Sequence, residues 1–387
     1  MSESPWITTA RNIAVEIAGP HADDVDQQAR FPHEAIDALK KAGLLGAYVP
    51  ASLGGPGVSL RELCGICEVL GQHCTATAMI FAMHQIQVVT LVAHGLDSAW
   101  YRDYLQRLVR HQYLIASVTS EVGVGGEMRN SRCAVEPDGS RFKLVKDATT
   151  ISYGAQADDL LVTARRNPGA ANNDQALVLV SKADYTLAQK GNWNTMGMRG
   201  TCSPPFLMTA TGVADQVMAA PFAEMASYTV VPVSHLLWVH LWLGNVTAAV
   251  NKAGAFVRGQ ARANPGTTPP TALRLAEVTC KLQGMRASIR EALNEYEGLL
   301  ADPVQAVETL SSISYAFKIN NLKVEVSQAL PLIVTQALLI CGILGYKNDS
   351  KFAMSRHLRD AHSSALMVGN DRILATNANM LLVLKDQ

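Results

Sequence analysis

Charge is scarce in this chain. Only 17% of its 387 residues are Asp, Glu, Lys or Arg, and 33 basic residues cancel 33 acidic ones, where soluble domains usually carry roughly 25% charge. No basic run stands out, so there is no electrostatic footprint for nucleic acid, whose phosphates demand a Lys/Arg surplus. No basic amphipathic helix points to a membrane surface. Low-complexity tracts are missing, and at 48% hydrophobic residues the composition excludes disorder. There is no GxGxxG or Walker A pattern, no GxSxG nucleophile elbow and no internal repeat. The seven cysteines are scattered and odd in number, which fits reduced thiols rather than a disulfide framework. MSESPWITTARN lacks the basic then apolar pattern of a signal peptide, so a cytoplasmic location is expected.

What the chain does have is long uncharged stretches. No Asp, Glu, Lys or Arg lies between Met225 and Asn251 or between Val326 and Tyr346. Length alone would let either cross a membrane. Polar residues break both runs, among them His235, His240 and Asn245 in the first and Gln328 and Gln336 in the second. Lys/Arg-rich flanks are missing as well. Both are therefore expected as helices buried on all sides of a large bundle.

Three textures follow one another. Helical periodicity fills the first stretch, with Leu60, Leu63, Cys64, Cys67 and Leu70 on one stripe. From about residue 112, short β-prone pieces alternate with turn clusters such as EPDGS and NPGAANND. From about 226 helical periodicity returns. The expected fold is α+β: a helical domain over 1–112, a central antiparallel β-barrel over 113–225 and a helical bundle over 226–387. The absence of βαβ alternation excludes a Rossmann fold.

Cys64 and Cys67 form a CxxC on an apolar helical stripe, with no second ligand pair. That reads as core, and no metal is expected. The sharpest local signal is SVTSEVGVGGE, residues 117–127. It delivers Thr119, Ser120 and Glu121 into a glycine cluster whose backbone could approach a flat or anionic ligand closely. A second cluster, NWNTMGMRGTCS, spans 192–203. His84 stands alone in the apolar helix IFAMHQIQ. It is either a satisfied core histidine or, if it faces a pocket, an acid/base group.

At these residues the chain resembles the acyl-CoA dehydrogenase superfamily of flavoproteins. AGLLGAYVPASLGGPG is similar to the family's N-terminal glycine turn, SEVGVGGE to its TEPGAGSD flavin loop, and WNTMGMRGTCS to its MRGT-x-S segment. CGILGYKND followed by RHLRDAHSS is similar to GG-x-GY…R-x-x-RD. The resemblance covers nearly the whole chain, with the motifs in order. It implies FAD between the β region and the C-terminal bundle, with FMN as the alternative. It also implies a homodimer or homotetramer. Thr119, Ser120, Gly125 and Gly126 would contact the cofactor, together with Thr150, Gly342 and Asn370.

Departures from the family pattern bear on the chemistry. Where relatives carry YEGT, whose Glu removes the substrate α-proton, this chain has Val368 and Asn370. The other position used for a base falls on Ser234. His84 and Asp371 are the remaining candidate bases, with Glu121 and Glu127 behind them. The family's R-x-x-FG is replaced around Gln260–Asn264, Leu339 stands for the Gln before GG-x-GY, and Ala148 for the flavin-covering Trp. Three functions fit the resemblance. The first is an oxidoreductase on an acyl thioester or related small molecule, with a non-standard base. The second is a monooxygenase taking reduced flavin from a reductase, and the third a non-redox binding relic.

Overall fold

The computed structural model describes residues 4–125 and 127–384. Six helices come first: α1 Pro5–Ile13, α2 Gly19–Gln27, α3 His33–Lys41, α4 Leu60–His73, α5 Thr75–Gly95 and α6 Ala99–His111. Local chemistry starts them where the sequence allows. Ser4 caps α1 with Pro5 in its first turn. Ser59 and Glu62 close a reciprocal capping box on α4. The stripe Leu60, Leu63, Cys64, Cys67 and Leu70 is buried as its spacing predicts.

Seven strands follow: β1 Ile115–Val118, β2 Glu136–Asp138, β3 Arg141–Ala148, β4 Asp159–Arg165, β5 Gln175–Ser181, β6 Tyr185–Gln189 and β7 Phe206–Val213. They do not close into the expected barrel. They form a three-stranded sheet, β1-β4-β5, and an antiparallel four-stranded sheet, β2-β3-β7-β6. Nor is the region wholly antiparallel, because β1 runs parallel to β4, with Ile115 opposite Asp159. Burial supplies the reason. β3 and β7 alternate buried with more exposed positions, so one face meets solvent, whereas β4 and β5 are buried along almost their whole length. The smaller sheet is covered on both faces, by the larger sheet and by helices, and a layered arrangement of that kind needs no closure.

The last third is helical again: α7 Phe222–Met225, α8 Val231–Ala263, α9 Thr271–Leu299, α10 Pro303–Leu310, α11 Ile313–Cys341, α12 Ile343–Tyr346, α13 Ser355–His362 and α14 Asn370–Leu381. Three helices are long and apolar enough to cross a membrane: α5, α11 and the stretch Phe222–Ala263 that contains α8. The most apolar window around α8 is wholly buried, with α4, α5, α9 and α11 packed on it. The second uncharged run departs from expectation, because the apolar window of α11 is only half buried. Leu332 and Leu339 are exposed, as are Ile343, Leu344 and Tyr346 just beyond it. A single chain supplies packing partners on one side of α11 only. Among the described residues no group of three His, Cys, Asp or Glu is placed to hold a metal.

Candidate functional site

The glycine loop after β1 is anchored by its acidic residue. The Glu121 carboxylate is buried and accepts from Ser131 Oγ at 2.7 Å, Arg132 N at 3.1 Å and Cys133 N at 2.7 Å. Lys146 Nζ lies 3.6 Å away and donates to Thr163 O at 2.6 Å and Thr163 Oγ1 at 2.9 Å. Burial pushes the Lys146 amine below its ordinary value. Buried charges are tolerated when paired and hydrogen-bonded in this way. Glu121 is therefore a fastening, and its oxygens are committed.

So fastened, the loop presents backbone. Gly123 and Gly125 take φ of +84° and +62°, the left-handed region that glycine enters without strain. A Cβ on Gly123 would come within 2.5 Å of the Arg132 guanidinium. Ser120 Oγ donates to Thr150 O at 2.7 Å, and Thr150 N donates back to Ser120 Oγ at 3.2 Å. Thr119 Oγ1 lies 2.9 Å from Ser117 Oγ. Thr119, Ser120 and Gly125 lie along one surface loop with Thr150 clasped to Ser120, a ledge that runs from half-exposed at Thr119 and Ser120 to exposed at Gly125 and Thr150. Gly126 lies outside the described residues.

The C-terminal domain closes on this ledge. Arg372, in the first turn of α14, donates to Gly125 O. Just before α14, Val368 and Gly369 both have positive φ, +60° and +63°. A β-branched residue there is strained by about 1–2 kcal/mol, and strain of this kind concentrates at functional sites. Asn370 is buried, whereas Asp371 and Arg372 are exposed at the helix start. Across the same domain boundary, Asp360 Oδ1 accepts from Met198 N at 2.7 Å, tying α13 to the MRGT segment. Burial pushes the Asp360 carboxyl up to about 6. A Cβ on Gly197 would sit 2.2 Å from Arg359 O, so only glycine permits that approach.

Other candidates are placed elsewhere. His84 is fully buried; its Nε2 meets Leu45 O at 2.8 Å, and Ile115 N donates to its Nδ1 at 3.0 Å. With both nitrogens committed, the neutral ring joins α5 to the entry of β1 and offers a substrate no lone pair. Burial pushes it down to about 4. His84→Ala should lower the unfolding free energy by about 3 kcal/mol, through an orphaned Ile115 N–H and a new cavity. A urea titration checks it; an unchanged midpoint with lost turnover would instead mark a base.

Ser234 is buried and its hydroxyl bonds back to Val230 O within its own helix. Glu127 is exposed and accepts from Asn130 at 2.7 Å. Gly342 caps the far end of α11 with φ +56°. It is 15 residues beyond Ser327, which contacts Asn370, and at the helical rise that separates them by about 22 Å. One chain does not bring Gly342 to the ledge. Ala148 is fully buried at the end of β3, opposite Phe206 of β7. Two buried residues carry no functional reading from the sequence: Lys323, and His235, which stands there only as a polar break in an uncharged run. Both sit among apolar neighbours in uncharged or sparsely charged helices, where spacing gives no sign of what they face.

The residues present suit a flavin ring: left-handed glycines exposing backbone, two clasped hydroxyls and a half-exposed apolar turn opposite them. Toward the end of α8, Gln260 is engaged by Thr271 Oγ1 at 2.9 Å, while Arg258 and Arg262 are exposed.

Known proteins share this design. The family described as acyl-CoA dehydrogenase, N-terminal domain, matches residues 3–112, and its C-terminal domain matches 233–381. The cyclohex-1-ene-1-carbonyl-CoA dehydrogenase of Geobacter metallireducens is 22% identical over 94% of this chain and 93% of its own. Butyryl-CoA dehydrogenase from Megasphaera elsdenii superposes with a TM-score of 0.81 at 18% identity, covering 99% of both chains. The dibenzothiophene monooxygenase TdsC from Paenibacillus sp. A11-2, solved with FMN bound, gives 0.81 at 17% identity, covering 98% of this chain and 97% of its own. Members of the family bind FAD, and TdsC holds FMN. Two family domains in order, joined by this ledge and turn, place the chain in the acyl-CoA dehydrogenase superfamily as a flavin-dependent oxidoreductase.

Proposed function

We propose that the protein is a reduced-flavin-dependent monooxygenase of a small organic molecule. The observation that carries this reading is the turn before α14. By the motif resemblance, Val368 falls where the family carries its proton-abstracting Glu, which leaves Asp371 as the one carboxylate in the turn and the helix start after it. Glu121 and His84 have their polar atoms committed, and Asp371 is exposed at the start of α14. Dehydrogenation of an acyl thioester needs a base at that point, commonly worth about 10²–10⁴-fold, whereas oxygen insertion does not. A reduced flavin on the ledge would supply the electrons that activate dioxygen. The chain's own part is to bind the ring edge through Ser120, Thr150 and Gly125, and to keep water off it with Val368. The likeness to TdsC supports this reading. The acyl-thioester reading keeps its support from the dehydrogenase relatives, with Asp371 as its base.

Reduced flavin would come from a separate reductase in the cytoplasm. A second copy of the chain would cover the exposed face at Leu332, Leu339 and Ile343, bringing its Gly342 toward the first copy's cofactor. Anaerobic mixing of flavin-loaded protein with butyryl-CoA tests the reading. The flavin absorbance should hold steady, and reduced flavin on the protein should reoxidise in air more slowly than free flavin. Bleaching by butyryl-CoA would overturn it in favour of dehydrogenation.

A further inference from the structure

The bundle buries one lysine without a carboxylate. Lys323, on α11, is fully buried. Its Nζ donates to Asn370 Oδ1 at 2.7 Å and lies 5.9 Å from the centroid of the Trp242 ring. Asn370 Nδ2 in turn donates to Ser327 Oγ at 3.0 Å, and Ser364 Oγ donates to Ser327 O at 2.9 Å. Ser364 and Asn370 are the two stems of the loop that carries Val368 and Gly369. One face of α11 therefore grips both stems of the strained turn, and a buried ammonium is one of its holds.

Among the described residues no carboxylate pairs with that ammonium. From α8 the titratable group on this side is His235, itself buried and held neutral, pushed down to about 3 by burial and by the Lys323 charge. Neither His235 ring nitrogen makes a well-formed hydrogen bond. α14 brings Asn370 and Asn377, which bonds Asn320 and Asn321, while its Asp371 and Arg372 are exposed. The turn just past α13 brings Ser364, and Asp360 on α13 is spent on Met198. On α9, Glu291 and Glu295 line the groove facing Lys318 and Glu325. Burial alone pushes the Lys323 amine down to about 8. Charge-assisted hydrogen bonds are roughly twice as strong as neutral ones, so the grip on Asn370 depends on the proton.

We propose that Lys323 is a positioning residue of the candidate site, whose ammonium holds the Val368–Gly369 turn through Asn370 and releases it on losing its proton. The proposal deepens the flavin-site reading and rests on it, because the turn borders a cofactor only if that reading is right. Hydrogen–deuterium exchange of residues 363–370 in the flavin-free protein, from pH 6.5 to 10, tests it. After correction for intrinsic exchange, protection should drop about five- to tenfold across an inflection near pH 8. Lys323→Met, similar in length and apolar, should abolish the inflection. Asn370→Asp supplies a counter-charge and should move it to higher pH. A wild-type profile without the inflection, or an unchanged inflection in either variant, would overturn the proposal. Titration with FAD and FMN separates the two ideas: an exchange step in protein that takes up neither flavin sinks the flavin reading and leaves Lys323 in its assigned role.

Discussion

Val368→Glu should create acyl-CoA dehydrogenation in this protein, with flavin reduction by butyryl-CoA at least about 10²-fold faster than in the wild type. The substitution puts a carboxylate where the motif resemblance places the family's Glu, on a turn whose backbone is already left-handed at both Val368 and Gly369. Glutamate is unbranched at Cβ, so it fits φ of +60° at least as well as valine does. The position is partly exposed, at 39%, so the longer side chain is not forced into the packed core. Anaerobic stopped-flow absorbance of both proteins, loaded with the same flavin, reads the difference. No gain in a variant that still binds flavin would mean that the thioester α-carbon never reaches this turn. The dehydrogenase reading would then fall as well.

Acid should unfold the protein abruptly between pH 6 and 4. His84, His235, His240 and His357 are all buried, and burial pushes each well below its ordinary value, to about 4 for His84 and His240 and about 3 for His235. In the unfolded chain each takes up a proton as pH falls below about 6.5. In the folded chain none does until pH 4 or lower. The unfolded state therefore binds more protons in this window, and stability falls as pH falls. Asp360 opposes the trend, since its raised carboxyl, near 6, gains a proton in the folded state first. A net uptake of about three protons corresponds to about 4 kcal/mol lost per pH unit. Domains are stable by only about 5–15 kcal/mol, so the transition should be complete above pH 4. Far-UV circular dichroism with potentiometric proton counting would register both the midpoint and the uptake. A shallow transition taking up one proton or fewer would show that these rings reach water.

Much of the architecture was legible from local pattern. The stripe on α4, the helix–strand–helix order and five of the seven strands follow from residue type and period. β2 hides in EPDGS, which reads as a turn because Pro, Asp and Gly dominate it. β6 is short and largely polar. The glycine loop was equally legible, because left-handed backbone and small hydroxyls leave a compositional trace. The barrel was not, because closure depends on which sheet face is covered, and strand pattern records only how many faces are buried.

The catalytic candidates show the boundary most clearly. A lone histidine in an apolar helix carries no mark of its neighbours, and His84 proved to be shared between Leu45 and Ile115, which lie 39 and 31 positions away. Glu121 was visible as an acid beside the loop, but its three donors sit on a segment that folds back from residues 131–133. Motif order and hydrophobic period were enough to define the family and the helix–strand–helix layout, since both are written in residue identity. Which polar groups are committed, which face of α11 stays bare and where a buried lysine points were settled by packing. Those depend on contacts between residues far apart in the chain, whose energies appear only once water has been excluded.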